Sequence, residues 1–135
     1  MPVRPKNFVI DVPTEAPDRA LAWFESRLAH EADCHDVHGT QELEDRGFVL
    51  LDVRSPERFA QGHLPGAVNL PQVRIDEEAL AAWPAETLFV VYCAGPHCNG
   101  STRAAIRLSR LGRPVKEMVG GICGWLDEGF DLVTS

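Results

Sequence analysis

No apolar run in this sequence approaches the ~20 residues that a helix needs to cross a bilayer, which removes a membrane-spanning role. No cluster of lysine and arginine stands out, and the formal net charge is −7. The electrostatic footprint of a nucleic-acid binder is therefore missing, and an anionic substrate needs a local positive site. The first eleven residues lack the charged and then apolar layout of a signal peptide, so the cytoplasm is the expected compartment. Repeats and low-complexity segments are absent. The chain has four cysteines, Cys34, Cys93, Cys98 and Cys123. At this size and without an export signal they do not read as a disulfide framework. Cys93 and Cys98, with His97 between them, lack a second Cys/His pair at finger-like spacing, so neither zinc nor another cofactor is expected. A reversible bond between Cys93 and Cys98 is the better reading of that pair.

What is present is a chain of 135 residues with 44% hydrophobic content. That is one domain's length, enough to bury a core without staples. Residues 1–13 read as a lead with an extended piece at 8–10. A helix is expected over 15–30, capped by Thr14, with Pro17 in its first turn where a missing N–H is harmless. Leu21, Phe24 and Leu28 form its apolar stripe with Trp23 at the edge, docking on the domain or on a second subunit. Residues 32–37 read as a short edge strand. His30, His35 and His38 fall near Cys34 and Asp36 at a spacing that invites a metal, but a polar turn with solvated histidines is the stronger reading. A short helix at 40–46 leads to Gly47.

Residues 48–53 form an unbroken apolar run, the mark of a strand covered on both faces. Ser55-Pro56-Glu57 opens a short helix carrying Phe59. Residues 62–67 are a Gly/Pro turn organised by His63, and 68–70 a brief strand. Residues 75–83 read as a helix stopped by Pro84. A second buried strand covers 88–92, a helix 101–111 ends at Gly112, and a strand covers 114–119. Gly120-Gly121 breaks it before a last helix carrying Ile122, Trp125 and Leu126, with Cys123 and Trp125 in the core. Alternating strands and helices predict an α/β fold with a mainly parallel sheet.

The chemistry points to the stretch after the second buried strand. Tyr92 is followed by Cys93-Ala94-Gly95-Pro96-His97-Cys98-Asn99-Gly100-Ser101-Thr102-Arg103, where a strand feeds a helix through a polar loop. Free N–H groups and the positive helix pole gather at such a helix start, and a cysteine held there loses its proton more easily. Cys98 is the preferred nucleophile. As a lone cysteine it would read as a small loop residue; the strand, loop, helix start and Arg103 together reverse that preference.

Four motifs in order resemble those of the rhodanese-like sulfurtransferases. They are Leu51-Asp52-Val53-Arg54-Ser55-Pro56-Glu57, then Gly62-His63-Leu64-Pro65-Gly66-Ala67-Val68-Asn69, then the Val91-Tyr92-Cys93 to Arg103 loop, and Gly120-Gly121 with Trp125. The resemblance covers about residues 32–131 and divides the chain into an N-terminal segment, 1–31, and a rhodanese-like domain, 32–135. It implies a central parallel sheet flanked by helices on both faces. It also implies a cysteine that takes sulfane sulfur from thiosulfate or a similar donor and passes it to a thiol or cyanide. In the family the nucleophile usually follows the strand directly, with an arginine beyond four intervening residues. Here Cys93 meets the first criterion and Cys98 the second, so residues 94–98 look inserted. Cys98 is assigned as the nucleophile and Cys93 as the second choice or the resolving partner.

Around Cys98, the N–H groups of residues 99–103 are expected to stabilise a sulfur anion, with Gly100 allowing close approach. Ser101 and Thr102 donate hydroxyl hydrogen bonds, or one of them caps the helix. Arg103 attracts an oxyanion, or is simply solvated. Asp52 accepts hydrogen bonds that fix the loop, while Arg54 pairs with Glu57 or lines the pocket; for both, the structural role is preferred. His97 either lowers the Cys98 pKa or is exposed. Cysteine phosphatases place one more residue between cysteine and arginine, which disfavours phosphatase or arsenate reductase chemistry here. A non-catalytic docking or thiol-redox module using Cys93 and Cys98 is the other class of function.

Overall fold

Two unbroken apolar runs become the paired centre of the sheet. In the computed structural model, which describes residues 3–134, these are β2 (Val49–Asp52) and β4 (Phe89–Tyr92). They run parallel, with Leu51 opposite Val91 and Asp52 opposite Tyr92. β5 (Val115–Met118) pairs with β4, and β1 (Glu31–Ala32) closes that edge. β3 (Val68–Asn69) closes the other, giving a five-stranded, wholly parallel order β1-β5-β4-β2-β3. Successive residues point to opposite faces. Leu51, Phe89 and Val91 meet Ala104 and Leu108 on one side, while Leu50, Val90 and Tyr92 meet Cys34, Val37 and Trp125 on the other. Helices therefore cover both faces, as the resemblance implied.

The helices are α1 (Pro17–His30), α2 (Cys34–Gly39), α3 (Pro56–Gln61), α4 (Gly100–Arg110) and α5 (Gly121–Asp127). Ser55 caps α3 by accepting the Arg58 amide, and His63 closes the following turn through its ring contact with the Phe59 carbonyl at 2.8 Å and its bridge to Val133. Sheet order runs outward in both directions from the β2/β4 pair, and in such sheets ligands bind beyond the carboxyl ends at that reversal.

Several local expectations are corrected. Met1 and Pro2 of the expected lead lie outside the described residues. Residues 8–10 form a turn held by the Asn7 carbonyl and side chain, not an extended piece. Ala16, with no side-chain bond, stands at the cap of α1 in place of Thr14. The α1 stripe does not dock on the domain: Leu21, Phe24 and Leu28 are 60%, 59% and 73% exposed. The edge strand stops at Ala32 because Asp33 accepts the Asp36 amide at 2.7 Å and starts α2. That helix replaces the one expected at 40–46, which is a series of turns and bends. Cys34 is buried in it, and His38 stacks on Phe130 at 3.7 Å, so the histidines do not converge.

Residues 75–83 are also turns, not a helix. Arg113 donates to the Leu80 and Trp83 carbonyls at 3.0 and 3.1 Å, holding them in an irregular path. Their apolar spacing is real, since Ile75 and Leu80 are buried, but burial does not require helix here. Cys123 is exposed instead of in the core. Gly121 and Trp125, four apart, face inward, and Cys123 midway between them points elsewhere.

Candidate active site

The loop between β4 and α4 is shaped by α5. The Ile122 amide donates to the Cys93 carbonyl at 3.1 Å, and the Cys123 amide to the Ala94 carbonyl at 2.9 Å. Such a close approach needs glycine at the contact. Gly121 has φ +57°, and a Cβ there would sit 2.4 Å from the Cys93 carbonyl oxygen. A turn from the Gly95 carbonyl to the Cys98 amide, at 3.0 Å, then folds the loop back on itself.

That fold-back brings the two sulfurs to 2.8 Å, a hydrogen-bonded contact between free thiols. Gly100 makes room for them: a Cβ there would lie 2.7 Å from Cys93 Sγ and 3.5 Å from Cys98 Sγ. The two environments differ sharply. Cys93 is 8% exposed, and burial, followed by its hydrogen bond to Cys98, pushes its thiol up to about 11. Cys98 is half-buried and its pKa is lowered, first by the Cys93 hydrogen bond and then by the Gly100 amide; burial works against this, and the Ala94 amide and the Arg58 charge add lesser help. Of the two thiols, Cys98 therefore gives up its proton first, while Cys93 holds its own more tightly.

Both cysteines open on a cavity of about 300 Å³ walled by Glu31, Thr102, Glu117 and Gly121 among others. The predicted loop residues divide around it. Of the amides at 99–103, that of Gly100 acts on the Cys98 sulfur; the second such amide, Ala94, comes from the other end of the loop. The Ser101 and Thr102 hydroxyls neither reach the sulfur nor cap α4: both donate to Glu117 Oε2 at 3.0 Å. Arg103 turns away, its Nε donating to Asn99 Oδ1 at 3.1 Å, and lines a separate cavity of about 280 Å³ with Arg107 and Arg110. His97 is exposed, and the positive charge acting on Cys98 is that of Arg58.

Asp52 and Arg54, each expected in a structural role, are joined to each other, and Arg54 does not pair with Glu57. The Arg54 guanidinium donates to both carboxylate oxygens, at 2.7 Å to Oδ2, and to the Gly62 carbonyl at 2.7 Å. Burial pulls the Arg54 pKa down, but the Asp52 bonds and charge outweigh it and the net direction is up. Tyr92 donates to Asp52 Oδ2 at 2.7 Å and accepts the Leu64 amide, and its own pKa is raised by burial and by the Asp52 charge. This network locks the carboxyl ends of β2 and β4 together beneath the cysteine loop.

Three residues near the sulfurs escaped the sequence: Arg58, Glu31 and Glu117. Arg58 and Glu31 lie in no motif. Glu117 carried a signal: with Lys116 it is one of two charged residues between Val115 and Met118, and on a covered sheet such a side chain must face a cavity or an edge.

A parallel sheet with a cysteine-bearing loop at the carboxyl end of its central strand defines the class: an α/β domain with a thiol site at its sheet end. The chain belongs to the rhodanese-like domain family, whose model, "Rhodanese-like domain", matches residues 39–128. It is 33% identical over 107 residues to a sulfurtransferase from Allochromatium vinosum, covering 78% of this chain and 96% of that one. It is 36% identical over 85 residues to the HTH-type transcriptional regulator Rv0324 of Mycobacterium tuberculosis, covering 62% of this chain and spanning 37% of the regulator's length. The BH2092 protein from Bacillus halodurans superimposes with a TM-score of 0.84 at 32% identity, covering 88% of this chain and 87% of that one. Among the described residues no helix is long and apolar enough to cross a membrane.

Proposed function

We propose that the protein is a sulfurtransferase that carries sulfane sulfur as a persulfide on Cys98, taking it from thiosulfate or a similar donor. The observation that carries this reading is the asymmetric sulfur pair: a half-buried Cys98 with a lowered pKa, held 2.8 Å from a buried, protonated Cys93. The Cys98 thiolate attacks the outer sulfur of the donor. A sulfur–sulfur bond forms, the donor's own sulfur–sulfur bond breaks, and sulfite leaves with its electron pair. The persulfide anion then sits where the Cys93 S–H and the Gly100 amide stabilised the thiolate. A thiolate or cyanide attacks the terminal sulfur and regenerates Cys98. No metal or cofactor takes part. The four free cysteines suit a reducing compartment, and the cytoplasm is the proposed location. The partners are small-molecule donors and acceptors, with neither nucleic acid nor membrane, and a second copy of the chain meeting the exposed α1 stripe.

Thiosulfate-to-cyanide transfer by the wild type, Cys98→Ser and Cys93→Ser tests the assignment. Loss in Cys98→Ser with partial retention in Cys93→Ser is expected, together with a gain of about 32 Da mapped to the Cys98 peptide after thiosulfate. Retention in both single variants refutes it. Two specific observations favour other uses of the pair. Cys93 stands directly after β4, where the family's nucleophile usually sits, so a persulfide mapped to its peptide reverses the roles. The short sulfur contact also favours a thiol-redox module; an inert wild type that reversibly loses two hydrogens supports that reading.

A further inference from the structure

The register of β1 against β5 sets Glu31 directly opposite Glu117. Both carboxylates wall the cavity onto which the cysteines open, and none of the described residues lining it is cationic. Arg27 pairs with Glu31 at 3.1 Å, which cancels that charge. Among the described residues Glu117 has no cationic partner within salt-bridge distance: its Oε2 accepts only the Ser101 and Thr102 hydroxyls. Lys116 on the same strand donates instead to the Leu28 carbonyl at 2.8 Å, and Arg103 is engaged with Asn99. Arg58 influences Cys98 but does not line the cavity. A ligand that reaches the sulfur through this cavity therefore passes an uncompensated negative charge held in place by two hydroxyls.

We infer that Glu117 is a selectivity residue that biases the cavity toward sulfur acceptors carrying an ammonium group near the thiol and against those carrying a second negative charge. This rests on the sulfur-transfer reading and narrows its substrate class. Cation and anion experience opposite energies at the same carboxylate, so their rate ratio reports the charge while shared steric effects cancel. Glutamine keeps an acceptor oxygen for both hydroxyls and removes only the charge, so Glu117→Gln preserves the local hydrogen bonds.

Two arms test this. In the first, thiosulfate is held constant as donor and the acceptor is 2-aminoethanethiol or 3-mercaptopropionate. The kcat/KM ratio of the first over the second is expected to fall about threefold or more in Glu117→Gln, and to fall in the wild type as salt rises. The second arm needs no turnover. The Cys98 thiolate displaces methanesulfinate from 2-aminoethyl or 2-sulfonatoethyl methanethiosulfonate, forming one mixed disulfide for each sulfinate released. Initial rates are assigned by peptide mapping and normalised to 2-mercaptoethanol. The cationic reagent is expected to lead at Cys98, with a lead reduced about threefold in Glu117→Gln. A normalised ratio that is the same in both proteins and insensitive to salt overturns the selectivity assignment. If the wild type transfers sulfur from no donor yet shows the charge-dependent labelling, the sulfur-transfer reading fails while the charge selectivity of the cavity stands.

Discussion

Cys93 and Cys98 divide between them what a single nucleophile would have to combine. Cys93 has the rigid position after β4 but is buried and protonated; Cys98 has access and the lowered pKa. The first cause of that lowering is the Cys93 thiol, so Cys98 alkylation by iodoacetamide, followed as a pH–rate profile, is expected to reach half its plateau below the ordinary thiol value of 9.0. Cys93→Ala should shift the profile toward higher pH and so reduce the rate at neutral pH. At this scale the sequence was legible where a residue's role is local: Gly100 is required by contact with both sulfurs, and Asp52 and Arg54 hold a strand end. It was illegible where the role depends on a distant element. His97 is adjacent in sequence yet exposed, whereas Arg58 reaches Cys98 from α3. Ser101 and Thr102 are tied to a carboxylate on β5 that no spacing within the loop announces.

At the scale of elements, the long apolar runs gave β2 and β4, and the Gly112 stop gave the end of α4, with Gly112 at φ +75°. The two misses have different causes. At 75–83, buried apolar residues are satisfied by turns because Arg113 takes up the Leu80 and Trp83 carbonyls. At 40–46 the one apolar residue, Leu43, is exposed, and Arg46 folds back on Thr40 Oγ1 and the Val37 carbonyl. The α5 start has a mechanical role, since its amides and Gly121 press on the cysteine loop. Gly121→Ala combines an unfavourable φ with a clash against the Cys93 carbonyl, and is expected to cost about 2 kcal/mol or more and to abolish transfer. Chemical denaturation and the cyanide assay check the two parts separately. For α1, the proposed second copy predicts concentration-dependent dimerisation in sedimentation equilibrium, lost in a Phe24→Asp, Leu28→Asp double variant. A monomer at every concentration removes the dimer proposal.

For the whole molecule, the buried thiols act with Tyr92 to make alkaline pH unfavourable. Burial raises Cys34 and Cys93 from 9.0 to about 11. The unfolded chain therefore releases these protons first, and the stability they represent, complete below pH 9, is lost as pH rises toward 11. Cys98 acts in the opposite sense: its contribution is complete above 9.0 and is lost as pH falls through its lowered value. The thermal midpoint is expected to drop between pH 9 and 11, with a shallower drop in Cys34→Ala. The α/β class and the mainly parallel sheet were legible because strand and helix periodicities alternate along the chain, while the helices on both faces came from the resemblance. The sheet order was not, because which edge β1 joins depends on pairing with a strand more than eighty residues away.

That pairing has a practical corollary for anyone trimming the protein to the 39–128 span that defines its family. Such a fragment would discard the short ribbon that covers β5, baring a row of unpaired amides and carbonyls ready to recruit neighbouring molecules. It would also remove the Arg27–Glu31 couple from the rim, leaving Glu117 as the lone acidic sentinel at a widened mouth.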